Sequence, residues 1–221
     1  MIEDTLRDMR RRCRLAMNGI VSTSMRHRGI AYKINFGLTI QQIKDLAGNY
    51  IPDKDLAERL WKEDTRELKI LATLLYPPSA FDKGKANEWI KGISNQEVRE
   101  QVSINLFQNL PYASELVEEW SSNTEEEIRT TAYWLLARLF IAKKITSFSV
   151  DQVPYIWEDV IAENMFLRNA ALLALRHLGR QSEHVAKSIL EKIESYKDDR
   201  NLIKKEAYDS LAFEFEYYFE P

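Results

Sequence analysis

Ile128-Arg129-Thr130-Thr131-Ala132-Tyr133-Trp134 opens an apolar run on a cation, and the same opening recurs along the chain. Thr65-Arg66-Glu67-Leu68 and Val98-Arg99-Glu100-Gln101 precede it; Leu167-Arg168-Asn169-Ala170 and Ile203-Lys204-Lys205-Glu206 follow it. From 66 to 99, 129, 168 and 204 the steps are 33, 30, 39 and 36 residues, a degenerate period in the mid-thirties. Apolar residues in these runs keep helical spacing, as in Leu56, Leu60, Leu68, Leu71 and Leu75, and again in Ile128, Ala132, Leu135, Leu136 and Leu139. Between the cations lie further helical segments over 85–90, 113–120, 153–160 and 185–196. Pro77-Pro78, Ser121-Ser122-Asn123 and Gly179 act as breakers. The alternating tail 213–219 continues the helical run 206–212 and reads as the end of a last helix. Two helices per roughly 30–47 residues, with a cation opening each second one, is the pattern of HEAT-type repeats. The predicted fold is all-α: a HEAT-like α-solenoid of stacked antiparallel helix pairs forming one domain over 1–221. Basic capping helices occupy 1–50, repeats 51–206 and an acidic, aromatic cap 207–221.

The composition agrees. In 221 residues, 45% are hydrophobic and 29% charged, enough for a substantial core, while 7 Gly and 6 Pro are too few for a many-turned β fold or a glycine-rich phosphate cradle. One cysteine, Cys13, excludes an internal disulfide, and three histidines at unsuitable spacing argue against a metal site. No cofactor is expected. Residues 1–20 are charged and amphipathic, unlike a signal peptide, and the longest apolar runs, such as 70–76, are far short of a membrane span. A soluble, cytoplasmic protein with no membrane partner is predicted.

Net charge is only −3, but it is unevenly spread. Residues 1–44 hold nine Arg/Lys against Glu3, Asp4 and Asp8, a local +6; residues 207–221 hold four acids and no base. Second helices of a HEAT array line its concave side, so Arg66, Arg99, Arg129, Arg168 and Lys204 are expected in a row there. Such a row can follow the phosphates of a duplex, or it can pair with acids of its own and neighbouring repeats. The basic helix with Arg10, Arg11, Arg12 and Arg14 has the same two options: a phosphate backbone, or the polar face of a cap whose buried stripe is Leu6, Met9, Cys13 and Met17.

The segment Leu56-Ala57-Glu58-Arg59-Leu60-Trp61, leading into Thr65-Arg66-Glu67-Leu68-Lys69-Ile70-Leu71-Ala72, resembles the AlkD-type DNA alkylation repair family. Glu127-Ile128-Arg129 and Phe166-Leu167-Arg168 fit the same repeats, and 25–40 is similar to its N-terminal region. The resemblance covers roughly 20–180. It implies a HEAT-like array whose basic face grips duplex DNA and, in active members, hydrolyses the glycosidic bond of N3- or N7-alkylated purines. Such a cationic base leaves readily, so a carboxylate that stabilises the oxocarbenium sugar suffices. By this resemblance Arg129 falls on the family's phosphate-proximal arginine, and Glu100 stands in for its catalytic aspartate. Gln96 and Leu173 replace its two active-site tryptophans, and Ser24 falls near its tyrosine. A carboxylate displaced by one methylene, without its aromatic platform, points to a DNA-binding member with weak or lost glycosylase activity. A non-catalytic scaffold for a protein partner is the alternative, favoured by the acidic pI near 5.8 and by Glu125-Glu126-Glu127.

Overall fold

A computed structural model of the chain describes residues 2–30 and 32–220; Met1, Ala31 and Pro221, the last residue of the expected cap, lie outside them. Among the described residues there are thirteen α-helices and five short 3-10 turns, and no strand beyond one isolated parallel bridge between Ile34 and Thr65. The helices gather into two compact units, Met1–Leu110 and Pro111–Pro221.

The first unit contains α1 (Ile2–Leu15), α2 (Gly19–His27), α3 (Ile40–Ala47), α4 (Lys54–Trp61), α5 (Arg66–Leu75), α6 (Lys83–Trp89) and α7 (Gln96–Asn105). α5 is its centre, with α1, α3, α4 and α7 all packed on it. Leu6, Met9 and Cys13 form the buried stripe of α1, but Met17 lies past the helix end and is exposed, so the stripe stops one turn earlier than the spacing predicts. Burial pushes the Cys13 thiol up to about 12 and leaves it inert. The rings of Trp61 and Trp89 stack at 4.2 Å, and Tyr76 and Phe81 meet Trp89 edge-on, so this core is largely aromatic. Side chains of Asn18, Thr39, Asp53, Asp82 and Asn95 cap helix N-termini by accepting backbone N–H bonds.

The second unit contains α8 (Ala113–Ser121), α9 (Glu126–Ile141), α10 (Ile156–Asp159), α11 (Met165–Gly179), α12 (Glu183–Lys192) and α13 (Leu202–Phe219). α9 packs on α8 and α11, and α11 on α10, α12 and α13. The tail is helical, as predicted, and the boundary expected at 207 falls inside α13. The last residue of α11 is Gly179, a position where any Cβ would collide with the ring of Phe215 from α13. In both units the repeated cation sits in a first turn: Arg66 opens α5, Arg99, Arg129 and Arg168 are the fourth residues of α7, α9 and α11, and Lys204 is the third of α13. No helix among the described residues is long and apolar enough to cross a membrane.

Candidate nucleic-acid interface

A cation in the first turn of a helix faces the positive end of the macrodipole, at a cost of about 0.3–1 kcal/mol. Each of these five needs a partner that outweighs that cost. For Arg66, 1% exposed, the partners surround the guanidinium. Its Nε and Nη2 donate to the two carboxylate oxygens of Glu97 at 2.8 and 2.7 Å, and its Nη1 donates to the Leu38 carbonyl at 2.7 Å and to Glu67 at 2.9 Å. Glu67 is itself fully buried, and a buried carboxylate needs donors on every side. It accepts the backbone N–H groups of Phe36 at 3.0 Å, Gly37 at 3.0 Å and Leu38 at 3.2 Å. Gly37 makes this possible with a φ of +75° and no side chain, because a Cβ would collide with the Asn18 carbonyl. Thr65 supplies no side-chain cap to α5; the Arg66 N–H is taken instead by the Ile34 carbonyl at 3.0 Å.

Arg99 is 3% exposed, and its Nη1 donates to the Gln96 side-chain oxygen at 2.7 Å. Gln96 in turn donates to the Glu100 carboxylate at 3.0 Å. Glu100 is half-buried and so tied to its own helix.

In the second unit Arg129 donates from Nε and Nη2 to both oxygens of Asp159 at 2.7 and 2.8 Å, a fork-to-fork pair. Its Nη1 donates to the carbonyls of Asn123 at 3.0 Å and Thr124 at 2.9 Å, which pins the loop before α9. The guanidinium also lies 4.9 Å from the centre of the Tyr155 ring. Tyr133, fully buried, donates its hydroxyl to Asp159 at 2.6 Å; burial first, and that carboxylate second, hold its pKa above the usual phenol range. The hydrogen bond that Arg129 donates to Asp159 outweighs the cost of burial and holds the Arg129 pKa up.

Arg168 repeats half of this arrangement. Its Nη1 donates to the carbonyls six and five residues back, Ala162 at 2.6 Å and Glu163 at 3.2 Å, as Arg129 does. Its Nε and Nη2 find no acceptor, and no carboxylate lies within ion-pair distance of it, among the described residues. Lys204 is half-buried and donates to Asp199 at 3.0 Å. The structure therefore brings Arg66 together with Glu97, and Arg129 with Asp159.

Pairing with acids of neighbouring repeats, one of the two options that the sequence leaves the row, holds for Arg66 with Glu97 and for Arg129 with Asp159; Asp159 is the partner that pattern reading did not single out. Glu97 and Asp159 lie 31 and 30 residues after their arginines, one repeat on, and Arg180 pairs with Glu214 after 34. That offset is the signal that would have found them. Exposed cations lie elsewhere: of those that make no ion pair among the described residues, Arg11, Arg14, Arg26, Arg28, Lys33 and Lys44 fall within the first 44 residues. Arg12, by contrast, pairs with Asp8 at 2.8 Å, and Arg10 with Glu63 at 2.6 Å. Among the described residues no group of three His, Cys, Asp or Glu is placed to hold a metal ion.

A family model described as "DNA alkylation repair enzyme" matches residues 22–211. A solved structure described as "A new family of proteins related to the HEAT-like repeat DNA glycosylases with affinity for branched DNA structures" aligns with a TM-score of 0.71 at 13% identity, over 98% of this chain and 94% of that one. The likeness establishes a HEAT-like repeat fold. No curated protein matches the chain.

Proposed function

The chain belongs to the DNA alkylation repair enzyme family, and on that premise we propose that it is a DNA-binding member that holds the phosphate backbone, favours branched over plain duplex DNA, and has lost glycosylase activity. The observation that carries this reading is the set of unpaired, exposed cations Arg11, Arg14, Arg26, Arg28, Lys33 and Lys44 in the first unit. Phosphate contacts from such groups release counterions and supply most of a sequence-independent affinity. Arg66 and Arg129 serve a different end: with their donors spent on Glu97, Asp159 and backbone carbonyls, they hold successive repeats together. Arg99 is buried and bonded to Gln96, and Lys204 is ion-paired with Asp199, so neither is assigned a phosphate here. The branched preference is supported by the affinity named for the similar solved structure.

Loss of hydrolysis is supported by the 96–100 stretch. Gln96 stands where the family resemblance calls for a sugar-packing tryptophan, and it spends its amide on Glu100 and Arg99. A carboxylate engaged in this way and lacking an aromatic platform is poorly placed to stabilise an oxocarbenium ion.

Fluorescence anisotropy with a labelled duplex at several salt concentrations tests the binding. Replacing Arg11, Arg14, Arg26 and Arg28 by Ser should lower the slope of log K against log[salt] by about 0.9 for each phosphate contact removed. An unchanged slope would reject the assignment. Incubation with methylated DNA should release N7-methylguanine and N3-methyladenine only at the spontaneous rate. Release above that rate, abolished by Glu100→Gln, would restore the enzyme.

A further inference from the structure

A cleft of about 250 Å³ runs between α11 and α13, with Arg168 in its wall. On α11, Met165, Arg168, Asn169 and Leu172 are spaced i, i+3, i+4 and i+7 and share one face. From α13, Ile203 supplies an apolar wall, and Glu206 and Ser210 supply polar edges. Met165 is 53% exposed, so the mouth of the cleft opens to solvent.

Arg129 shows what the guanidinium at this repeat position can do. Once two loop carbonyls have fixed Nη1, the Nε–Nη2 edge is aimed and chelates both oxygens of a carboxylate. Arg168 is fixed by the two equivalent carbonyls, those of Ala162 and Glu163, and its Nε–Nη2 edge has no acceptor among the described residues. It lines the cleft with its Nη1 anchored and the other edge of its guanidinium uncommitted. A bare inorganic anion would satisfy the arginine but leave the apolar walls wet. A nucleotide satisfies both demands. One phosphate oxygen pair takes the guanidinium edge, the planar base lies against the Met165 thioether and Leu172, and Asn169 and Glu206 are placed at the rim for the base's polar edge.

We propose that this cleft binds a single unstacked nucleotide, phosphate on Arg168 and base between α11 and α13, and so selects DNA with an unpaired position at a branch point. The proposal rests on the DNA-binding reading above and names the part of a branched substrate that it recognises. A base inside an intact duplex is held by its stacked neighbours and cannot enter a cleft between two helices, whereas an already unpaired one enters at little cost.

The test compares a three-way junction carrying one unpaired nucleotide with a duplex of equal length, using the full chain and the variants Arg168→Lys and Met165→Ala. Lysine keeps the charge and can still reach a loop carbonyl, but it has no chelating edge. Met165→Ala leaves the arginine's anchor intact and guards against a folding artefact. Each variant should lose more affinity for the junction than for the duplex, so that the preference falls about tenfold, the scale of one bidentate arginine contact. Equal losses on both substrates, or a preference that survives in both variants, would overturn the cleft while leaving DNA binding intact. If the wild-type chain binds neither DNA, the DNA-binding reading fails, and the cleft is decided by titrating 5′-dCMP against the Arg168 Nε–H resonance. Saturable binding lost in Arg168→Lys sustains the cleft, and no shift rejects it.

Discussion

Arg129 and Arg168 occupy the same place in α9 and α11, and each pins the loop behind it through two carbonyls, yet only Arg129 meets a carboxylate. The difference arises at α10, which ends on Asp159, 3% exposed and wedged between the Arg129 guanidinium and the Tyr133 hydroxyl. One such residue converts a cation from a surface charge into an internal fastener. A row of cations in equivalent positions is therefore not a row of equivalent charges. Whether such a cation stays uncommitted depends on the acid that the fold places beside it, as Asp159 does for Arg129.

Removing that acid gives the largest expected effect. Asp159→Ala strands a buried guanidinium and a buried hydroxyl together, and losing one partner of a buried pair costs about 3–5 kcal/mol. The urea midpoint should drop sharply at constant slope. A loss below about 1 kcal/mol would mean that the pair is worth no more than a surface contact and would dissolve the contrast with Arg168.

Glu67→Gln asks whether the fastener of the first unit is of the same kind. The amide accepts on one side only: with its oxygen in the Oε1 place the Phe36 N–H loses its acceptor, and with its oxygen in the Oε2 place Gly37, Leu38 and Arg66 lose theirs. Each buried donor left unsatisfied costs about 1–3 kcal/mol, and a total near 2–3 kcal/mol is expected from the same urea titration. Arg168→Ala belongs at the other end of the scale. It gives up two hydrogen bonds from a half-exposed side chain, about 1 kcal/mol. A loss as large as that of Asp159→Ala would show that Arg168 has a structural partner after all.

The repeat itself was legible because it is local: a cation followed by helical apolar spacing survives the degeneracy of the period. The family resemblance around 56–72 was legible for the same reason. The fates of the cations were not: those of Arg66 and Arg129 are settled by carboxylates about thirty residues away, among 34 Asp and Glu, and those of Arg168 and Lys204 by groups five or six residues back. Glu67 stood in plain sight beside Arg66, but its partners are backbone N–H groups of 36–38, which leave no side-chain signature. Gly37 was their only trace. Met17 was misplaced for a simpler reason: apolar spacing continues past the point where α1 ends at Leu15.

The smallest effect expected concerns the charge that α11 already carries. Of Arg168 and Arg176 in α11 and Arg180 just after it, only Arg180 meets a carboxylate, Glu214; Arg176 donates to Ser210, and Arg168 to carbonyls alone. His177 stands among them, and burial first, with Arg180 next, pushes its pKa down from 6.5 to about 4, Glu214 offsetting only part. The unfolded chain thus binds this proton near pH 6.5 and the folded chain only near 4. Between those values the unfolded state holds more protons, so stability must fall as pH drops below about 6.5 and level off near 4. Because the imidazole is only half-buried, solvent screening trims the effect to under about 1 kcal/mol at pH 5.5. His177→Gln should flatten the urea midpoint between pH 7.5 and 5.5 by that amount. If the wild-type midpoint is already flat over this interval, α11 tolerates another positive charge, and the unpaired state of Arg168 costs the fold nothing.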